Sequence, residues 1–332
     1  MPGNFPNFHI LKIESVIAKS ALRYFLDNGF ELVQPAQITL ATGACENIAT
    51  MFELSYFGKK VFLTQTDQTA LEIALREAEK VFSIGPSFRK EERVDDTHLT
   101  NFPLWEYEFR GDFKQLLVVT EEIIKSMIEG ALNSGLLKDT SHLEKALEGF
   151  ERVTYTEAIN LLEPKFENIE WGVDLKRKHE QFLVKEFGGV PLFITHFPNE
   201  DSLPPSVFKN PLGPAIKFFN MKVNRKNKDV VNSADLILPI AGEGVGSAER
   251  ETDPKILERK LKSSSMYKML VDVFKSQEEV DRRLAVYMEN VKIGLPPHAG
   301  GGIGFNRVVQ YILKAKSIYD ATVFPTNALT VW

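Results

Sequence analysis

The sequence predicts an α+β domain, with a mixed, mostly antiparallel sheet flanked by helices. Three observations predict it. Leu104-Trp105-Glu106-Tyr107-Glu108-Phe109 alternates aromatic and acidic residues at the period of a strand, and a second extended run from Lys80 joins it through a charged loop. Amphipathic helical runs occupy separate stretches of the chain, and a glycine-rich strand feeds a last helix. There is no internal repeat and no low-complexity linker, so residues 1–332 read as a single domain, with a helical and loop insertion at about 140–232.

Ile10, Ile13, Ile17, Ala21, Leu22 and Phe25 recur at helical spacing, and Asn28-Gly29 stops that helix. Glu31 to Ile38 reads as a strand with Pro35 inside it, which implies an edge or interface position because proline has no N–H to donate. Thr39 to Thr50 is small and polar, a loop. Lys60 to Thr64 is a short strand, and Asp67 is placed to cap a helix reaching about Lys80. After the strand pair of Lys80 to Phe109, helical patterns run to about Ala146 and over Tyr155–Leu162. Asn199 to Pro214, with four prolines, reads as a loop insertion. Asp235–Ile240 is an apolar strand entering Gly242-Glu243-Gly244, residues 254–290 are helical and charged, and His298–Gly304 leads into a helix over Val308–Lys314.

Composition excludes several classes. Lys plus Arg is 40 and Asp plus Glu 45, a net charge of −5, which argues against a dedicated nucleic-acid coat while leaving room for a local basic patch. With 43% hydrophobic and 26% charged residues the chain is not globally disordered. No apolar run approaches the ~18 residues of a membrane span, and the first residues carry no signal-peptide pattern. Cys45 is the single cysteine, which excludes an internal disulfide or a cysteine-based zinc site and fits a reducing cytoplasm.

Four stretches could carry chemistry. In Phe88-Arg89-Lys90-Glu91, Arg89 could grip a phosphate bidentately. Two antiparallel strands would put Arg89, Glu91, Glu106 and Glu108 on one surface; taken alone, those four charges read first as a solvated sheet face. Gln68 and Glu72 share a helix face and suit a small ligand with an amino or amide group, or are simply solvated. Asp235 and Glu243 are paired hard carboxylates of the kind that anchor Mg²⁺ beside a nucleotide, with Arg250 following; alone, they are two surface acids and a rim arginine. The run Pro297–Arg307 lacks the Walker A and Rossmann patterns, and is evenly a phosphate-binding loop or a tight glycine turn.

Their order and spacing together are specific. F-R-x-E, then H-L-x-x-F and E-x-E, then G-E and R, then G-x-G-x-x-R resemble the three motifs of class II aminoacyl-tRNA synthetases. Within them the chain is similar to the aspartate/asparagine subgroup, and most to the asparaginyl-tRNA synthetases, over about His9 to Pro325. The resemblance implies the class II catalytic fold, ATP as substrate, Mg²⁺ as cofactor, and a homodimer through the Pro35 strand. It implies that Arg89 holds the α-phosphate, Glu91 sits by the adenine, Phe102 and Arg307 sandwich it, and His98 and Arg307 meet the γ-phosphate. Asp235 and Glu243 would hold Mg²⁺, with Arg89, Arg307 and Glu243 as the catalytic set. Glu46, Gln68 and Glu106 would bind the substrate's α-amino end, and Arg250 its side-chain oxygen. Aspartate-specific members carry a lysine where this chain has Leu71; asparagine-specific ones carry a glutamate where it has Glu72, which can accept from an amide but repels a carboxylate.

The chain also departs from the pattern. The first motif helix begins about ten residues in, so the family's N-terminal anticodon-binding domain is expected to be missing. Thr97 stands for an arginine, Asn101 and Asn306 for acids, and Asn47-Ile48-Ala49-Thr50 for a glycine-rich gating loop. The expected function is ATP- and Mg²⁺-dependent activation of asparagine as its adenylate, with transfer to an unidentified acceptor. The alternatives are an asparagine synthetase-type paralogue amidating aspartate with ammonia, tRNA aminoacylation, against which the missing domain weighs, and a non-catalytic regulatory paralogue, against which the full ATP-binding set weighs. No membrane partner is expected.

Overall fold

The computed structural model describes residues 6–40 and 48–330. Its helices and strands follow in chain order: α1 (Leu11–Asp27), β1 (Glu31–Leu32), β2 (Ile38–Thr39), β3 (Glu53–Tyr56), β4 (Lys59–Leu63), α2 (Gln68–Ala74), β5 (Lys80–Phe88), β6 (Asn101–Arg110), α3 (Phe113–Asn133), α4 (Ser141–Glu148), β7 (Glu151–Thr154), α5 (Tyr155–Leu162), α6 (Arg177–Glu186), β8 (Leu192–Thr195), β9 (Ser233–Leu238), β10 (Gly242–Glu249), α7 (Pro254–Ser263), α8 (Ser265–Phe274), α9 (Gln277–Ile293), β11 (His298–Gly304) and α10 (Phe305–Leu313). Eight strands form one sheet in the order β1-β5-β6-β11-β10-β9-β8-β7, and β2-β4-β3 form a small second one. The edge pairs β1·β5 and β7·β8 are parallel and every other pairing is antiparallel, as the sequence predicts.

The main core lies between this sheet and α1, α3 and α10. Ile13, Ile17, Ala21 and Phe25, one helical turn apart, are buried on α1, and Phe25 stacks on Phe82 of β5 at 4.5 Å between ring centres. Gly29, with φ of 75°, ends that helix as expected. A capping box between Asp112 and Gln115 starts α3. Trp105, Tyr107 and Phe109 face this core. The opposite face of β6 carries Glu106 and Glu108, both buried, which is where the chemistry collects.

A second core holds α7, α8 and α9 against the β3–β4 hairpin. The charged run 254–290 is therefore three helices, each restarted by a cap: Asp253, Ser264 and Ser276 accept backbone N–H bonds at the three N-termini. Strands β7 and β8, from within the expected insertion, extend the main sheet at its far edge. Residues 199–214 hold two short 3₁₀ turns, over Glu200–Ser202 and Pro205–Lys209.

Three local expectations are corrected. Glu31 to Ile38 is not one strand: pairing with β5 stops after Leu32, and Ile38–Thr39 joins the other sheet. Pro35 cannot donate to a ladder, so the chain leaves the edge there. The helix after Asp67 ends at Ala74, and the Asp67 side chain makes no cap bond; it packs over Gly85. The glycine run 300–302 is the glycine-rich strand that the sequence predicts, and not the phosphate loop or turn also weighed for it. It is the middle of a strand passing close to its neighbours, and a Cβ on Gly300 would lie 2.1 Å from the Tyr107 carbonyl.

Candidate active site

An open cleft of about 990 Å³ lies where the loop after β5, the β9–β10 turn, and the starts of α6 and α10 converge. It is lined by Arg89, Glu91, His98, Phe102, Glu243 and Arg307, six of the seven residues the sequence assigns to ATP. Main-chain bonds shape the loop: Arg89 N–H donates to Thr100 and Lys90 N–H to Thr50. The exposed Arg89 guanidinium stands 5.4 Å over the Phe102 ring. His98 Nδ1 lies 2.8 Å from Asp95; burial opposes it, but bonds from Thr97 and His98 hold the Asp95 carboxyl down at about 2. Arg307 is placed by the start of α10 and donates to the carbonyls of Ala241, at 2.6 Å, and Thr97.

The seventh, Asp235, lies next door, in a cavity of about 50 Å³ that it shares with Asp174, Glu180, Lys217 and Glu243. Glu243 and Glu180 line both spaces. Lys217 donates to Asp235 at 2.6 Å and lies 4.0 Å over Phe197. Burial and the nearby Glu243 push Glu180 up to about 8. Among the described residues no three His, Cys, Asp or Glu form a metal-holding group. Two hard carboxylates on the flank of a cleft with room for phosphates still fit Mg²⁺, which takes one or two carboxylates and fills its shell with phosphate and water oxygens. The ammonium already on Asp235 shows that the spot takes positive charge.

Under β6 and β11 lies a second polar cluster, closed to solvent. Gln68 and Glu72 enter it from α2, Glu106 and Glu108 from β6, and Arg250 from the end of β10. Arg250 donates from Nε and Nη2 to one oxygen of Glu108, at 3.0 and 2.6 Å, and from Nη2 to the Gly300 carbonyl. Four groups converge on Glu72. Oε1 accepts from Gln68 at 2.7 Å and Asn220 at 2.6 Å; Oε2 accepts from Tyr287 at 2.8 Å and lies 3.3 Å from His298 Nε2. Burial works against ionising Glu72, but His298, Arg250 and Gln68 outweigh it and hold its pKa below the usual range. Glu108 is raised, because its burial outweighs Arg250. Glu106 accepts from Thr66 Oγ1 and Asp67 N–H, and burial with neighbouring Asp67 and Glu108 pushes it up to about 8.

The structure thus gathers the predicted residues into two adjoining groups, and it separates the four charges read as one surface. Arg89 and Glu91 lie beyond the end of β5 in the cleft, while Glu106 and Glu108 are sealed beneath the sheet. Glu46 and Cys45 lie outside the described residues. Residue-by-residue reading missed Glu180, Lys217, Asn220 and Tyr287, and gave His298 no role beyond the start of a strand. The hydrogen-bonding tip of Tyr287 is invisible in a charged helix pattern, and Asn220 sits in an irregular segment with no periodicity at all.

Comparison with known proteins gives the family. A family model described as class II tRNA synthetases (D, K and N) matches residues 6–328. The asparagine–tRNA ligase of Thermococcus gammatolerans is 32% identical over 328 residues, covering 95% of this chain and 68% of the relative. The crystal structure of asparaginyl-tRNA synthetase from Pyrococcus horikoshii complexed with asparaginyl-adenylate superposes with a TM-score of 0.84 at 28% identity, over 98% of this chain and 70% of that one. The asparaginyl-tRNA synthetase of Entamoeba histolytica, also with asparaginyl-adenylate, gives 0.78 at 25% identity, over 98% and 68%. No helix among the described residues is long and apolar enough to cross a membrane. The match of the family model to nearly the whole chain, on a sheet shared with these enzymes, leaves one conclusion: the chain belongs to the class II tRNA synthetases of the D, K and N group, a family of ATP-dependent aminoacyl-tRNA ligases.

Proposed function

We propose that this protein activates asparagine with ATP, releasing pyrophosphate, and passes the aminoacyl group to tRNA, the acceptor named for its relatives. The observation that carries the reading is the adjacency of two groups across β6 and β11: Arg89, His98, Phe102 and Arg307 in the open cleft, and Glu72 and Arg250 in the sealed cluster.

ATP would lie in the cleft with its base between Phe102 and Arg307, Glu91 at its rim, and its α-phosphate on Arg89. The amino acid's carboxylate attacks the α-phosphorus in line. The new bond is carboxylate oxygen to phosphorus; the bond broken is phosphorus to the bridging oxygen of pyrophosphate. Arg89 faces the charge that develops on the α-phosphate, and His98 and Arg307 that on the leaving group. Mg²⁺ held by Asp235 and Glu243 would neutralise phosphate charge. Glu106, with Gln68 and Glu46, would take the α-ammonium. Two copies would pair along the edge at β1, where Leu32 and Ile84 stand exposed.

ATP–pyrophosphate exchange over a panel of amino acids, followed by tRNA charging, tests the reading. Exchange with asparagine and acid-precipitable asparaginyl-tRNA are the expected results. Exchange with aspartate alone overturns the substrate; exchange without charging of any tRNA overturns the acceptor.

A further inference from the structure

A carboxylate offers roughly four acceptor positions; Glu72 accepts three hydrogen bonds, from Gln68, Asn220 and Tyr287, and the buried His298 Nε2, 3.3 Å from Oε2 without a hydrogen bond, faces the remaining one. A substrate amide brought to Glu72, as the reading above requires, has to displace one of these groups. Gln68, Tyr287 and His298 are anchored on α2, α9 and β11. Asn220 alone belongs to no helix or strand.

Asn220 also carries the chemical group that asparagine carries. Its Nδ2 donates to Glu72 at 2.6 Å and to Tyr287 Oη at 3.2 Å, and its Oδ1 accepts from Gln68 at 3.3 Å. Two of these three bonds are long, so the bond to Glu72 is what holds the carboxamide in place. Its main chain is fixed: the Asn220 carbonyl accepts from Glu251 N–H at 2.7 Å, and Met221 bridges to Arg250. The side chain is fully buried, so for its carboxamide to leave Glu72 it has to turn while its backbone stays beside Arg250.

We infer that Asn220 is a specificity-determining residue, whose carboxamide occupies on Glu72 the place of the substrate's carboxamide and competes with asparagine for it. Asparagine is read when its amide takes over the bond to Glu72 and the Asn220 side chain turns away. The inference rests on the proposed reading of Glu72. It makes the apparent affinity for asparagine a difference between two like interactions, so that removing the inner one strengthens the outer.

The test is steady-state pyrophosphate exchange by the native protein, Asn220→Ala and Asn220→Ser, with asparagine and with aspartate. In Asn220→Ala the KM for asparagine falls about tenfold, the scale of one hydrogen bond to a charged group, while kcat stays within about twofold and the KM for aspartate does not fall. Asn220→Ser, which disturbs the buried site less, shows the same change at smaller size. A KM for asparagine that is unchanged or higher in both variants, with native circular dichroism, overturns the inference. If no amino acid supports exchange in the native protein, it is the proposed function that fails. Calorimetric titration of asparagine into the native and Asn220→Ala proteins then decides the role of Asn220 by itself: tighter binding by the variant upholds it, and equal or weaker binding overturns it.

Discussion

His298 Nε2 lies 3.3 Å from Glu72 Oε2, and neither side chain has any exposed surface. His298 Nδ1 also lies 2.7 Å from the Pro296 carbonyl, which only an N–H can satisfy. Both contacts are favourable together only when the ring carries two protons. Burial disfavours that charge, yet Glu72 and Glu108 raise the His298 pKa above its ordinary value, and Glu72 is lowered in return.

This pair gives stability a window in pH. A raised histidine contributes in full below its unfolded value of 6.5 and loses the contribution as pH rises through its folded value. A lowered glutamate contributes in full above 4.5 and loses it as pH falls through its folded value. Both act together between pH 4.5 and 6.5. His298→Gln should therefore lose roughly 3 kcal/mol there, as when one partner of a buried ion pair is removed. Thermal melts of both proteins from pH 4 to 9 check this: the gap in Tm should be widest near pH 5.5 and narrow above the folded histidine pKa. A gap that does not change with pH would mean that His298 only fills space.

Arg89 should behave oppositely, as a residue of function without stability. Its guanidinium is exposed at the rim of the cleft and touches the Phe102 ring at 5.4 Å. Arg89→Ala should leave the melting temperature within about 1 °C, because exposed side chains away from special features contribute little. Loss of the charge facing the α-phosphate should lower pyrophosphate exchange by about 10²–10³-fold. Turnover within threefold of the native protein would refute its placement.

The family resemblance, carried by the order and spacing of local motifs, was enough to name the residues of the cleft and not enough to find the partners inside the sealed cluster. Arg89, Glu91, His98 and Phe102 fall within one strand–loop–strand unit, so an alternating strand and a charged loop expose them together in the sequence. The partners of Glu72 come from α2, an irregular segment, α9 and β11, and only Gln68 shares its element. No helical or strand period links residues 72, 220, 287 and 298; folding alone brings them together. The misjudged strand at Pro35 has another origin. Proline forbids a central strand, and the same missing N–H also ends the edge strand early.

Glu106 predicts a pH dependence for the first chemical step. With its pKa pushed up to about 8 by burial and by Asp67 and Glu108, it is mostly protonated at pH 7 when no substrate is present. The proposed contact with an α-ammonium needs the ionised form. Amino-acid binding should then release a proton, and KM should fall as pH rises from 6.5 toward 8, by up to tenfold per pH unit, and level off above. In Glu106→Gln the KM should be higher by about tenfold or more and flat over the same range. A native KM that rises with pH would place the ammonium elsewhere.

The glycines of β11 separate packing from function within one strand. A Cβ on Gly300 would lie 2.1 Å from the Tyr107 carbonyl and 2.2 Å from the Glu108 carboxyl carbon, and the first of these is backbone held in the β6·β11 ladder. Neither the carbonyl nor the neighbouring chain can give way without moving Glu108, and with it the Arg250 guanidinium that donates to the Gly300 carbonyl. Gly300→Ala should destabilise by about 3 kcal/mol or more, the upper end of overpacking in a core. Two residues on, a Cβ at Gly302 meets nothing nearer than Leu104 at 3.5 Å, an ordinary contact, but Gly302 lines the open cleft proposed to hold ATP. Gly302→Ala should fold with a loss under about 1 kcal/mol and show its effect in the KM for ATP. Urea denaturation of the two variants beside ATP titrations checks the contrast. Equal stability losses at both positions would mean that β11 shifts freely between its neighbours, and the register from His298 to Gly304 would then not be what holds Arg250 against Glu108.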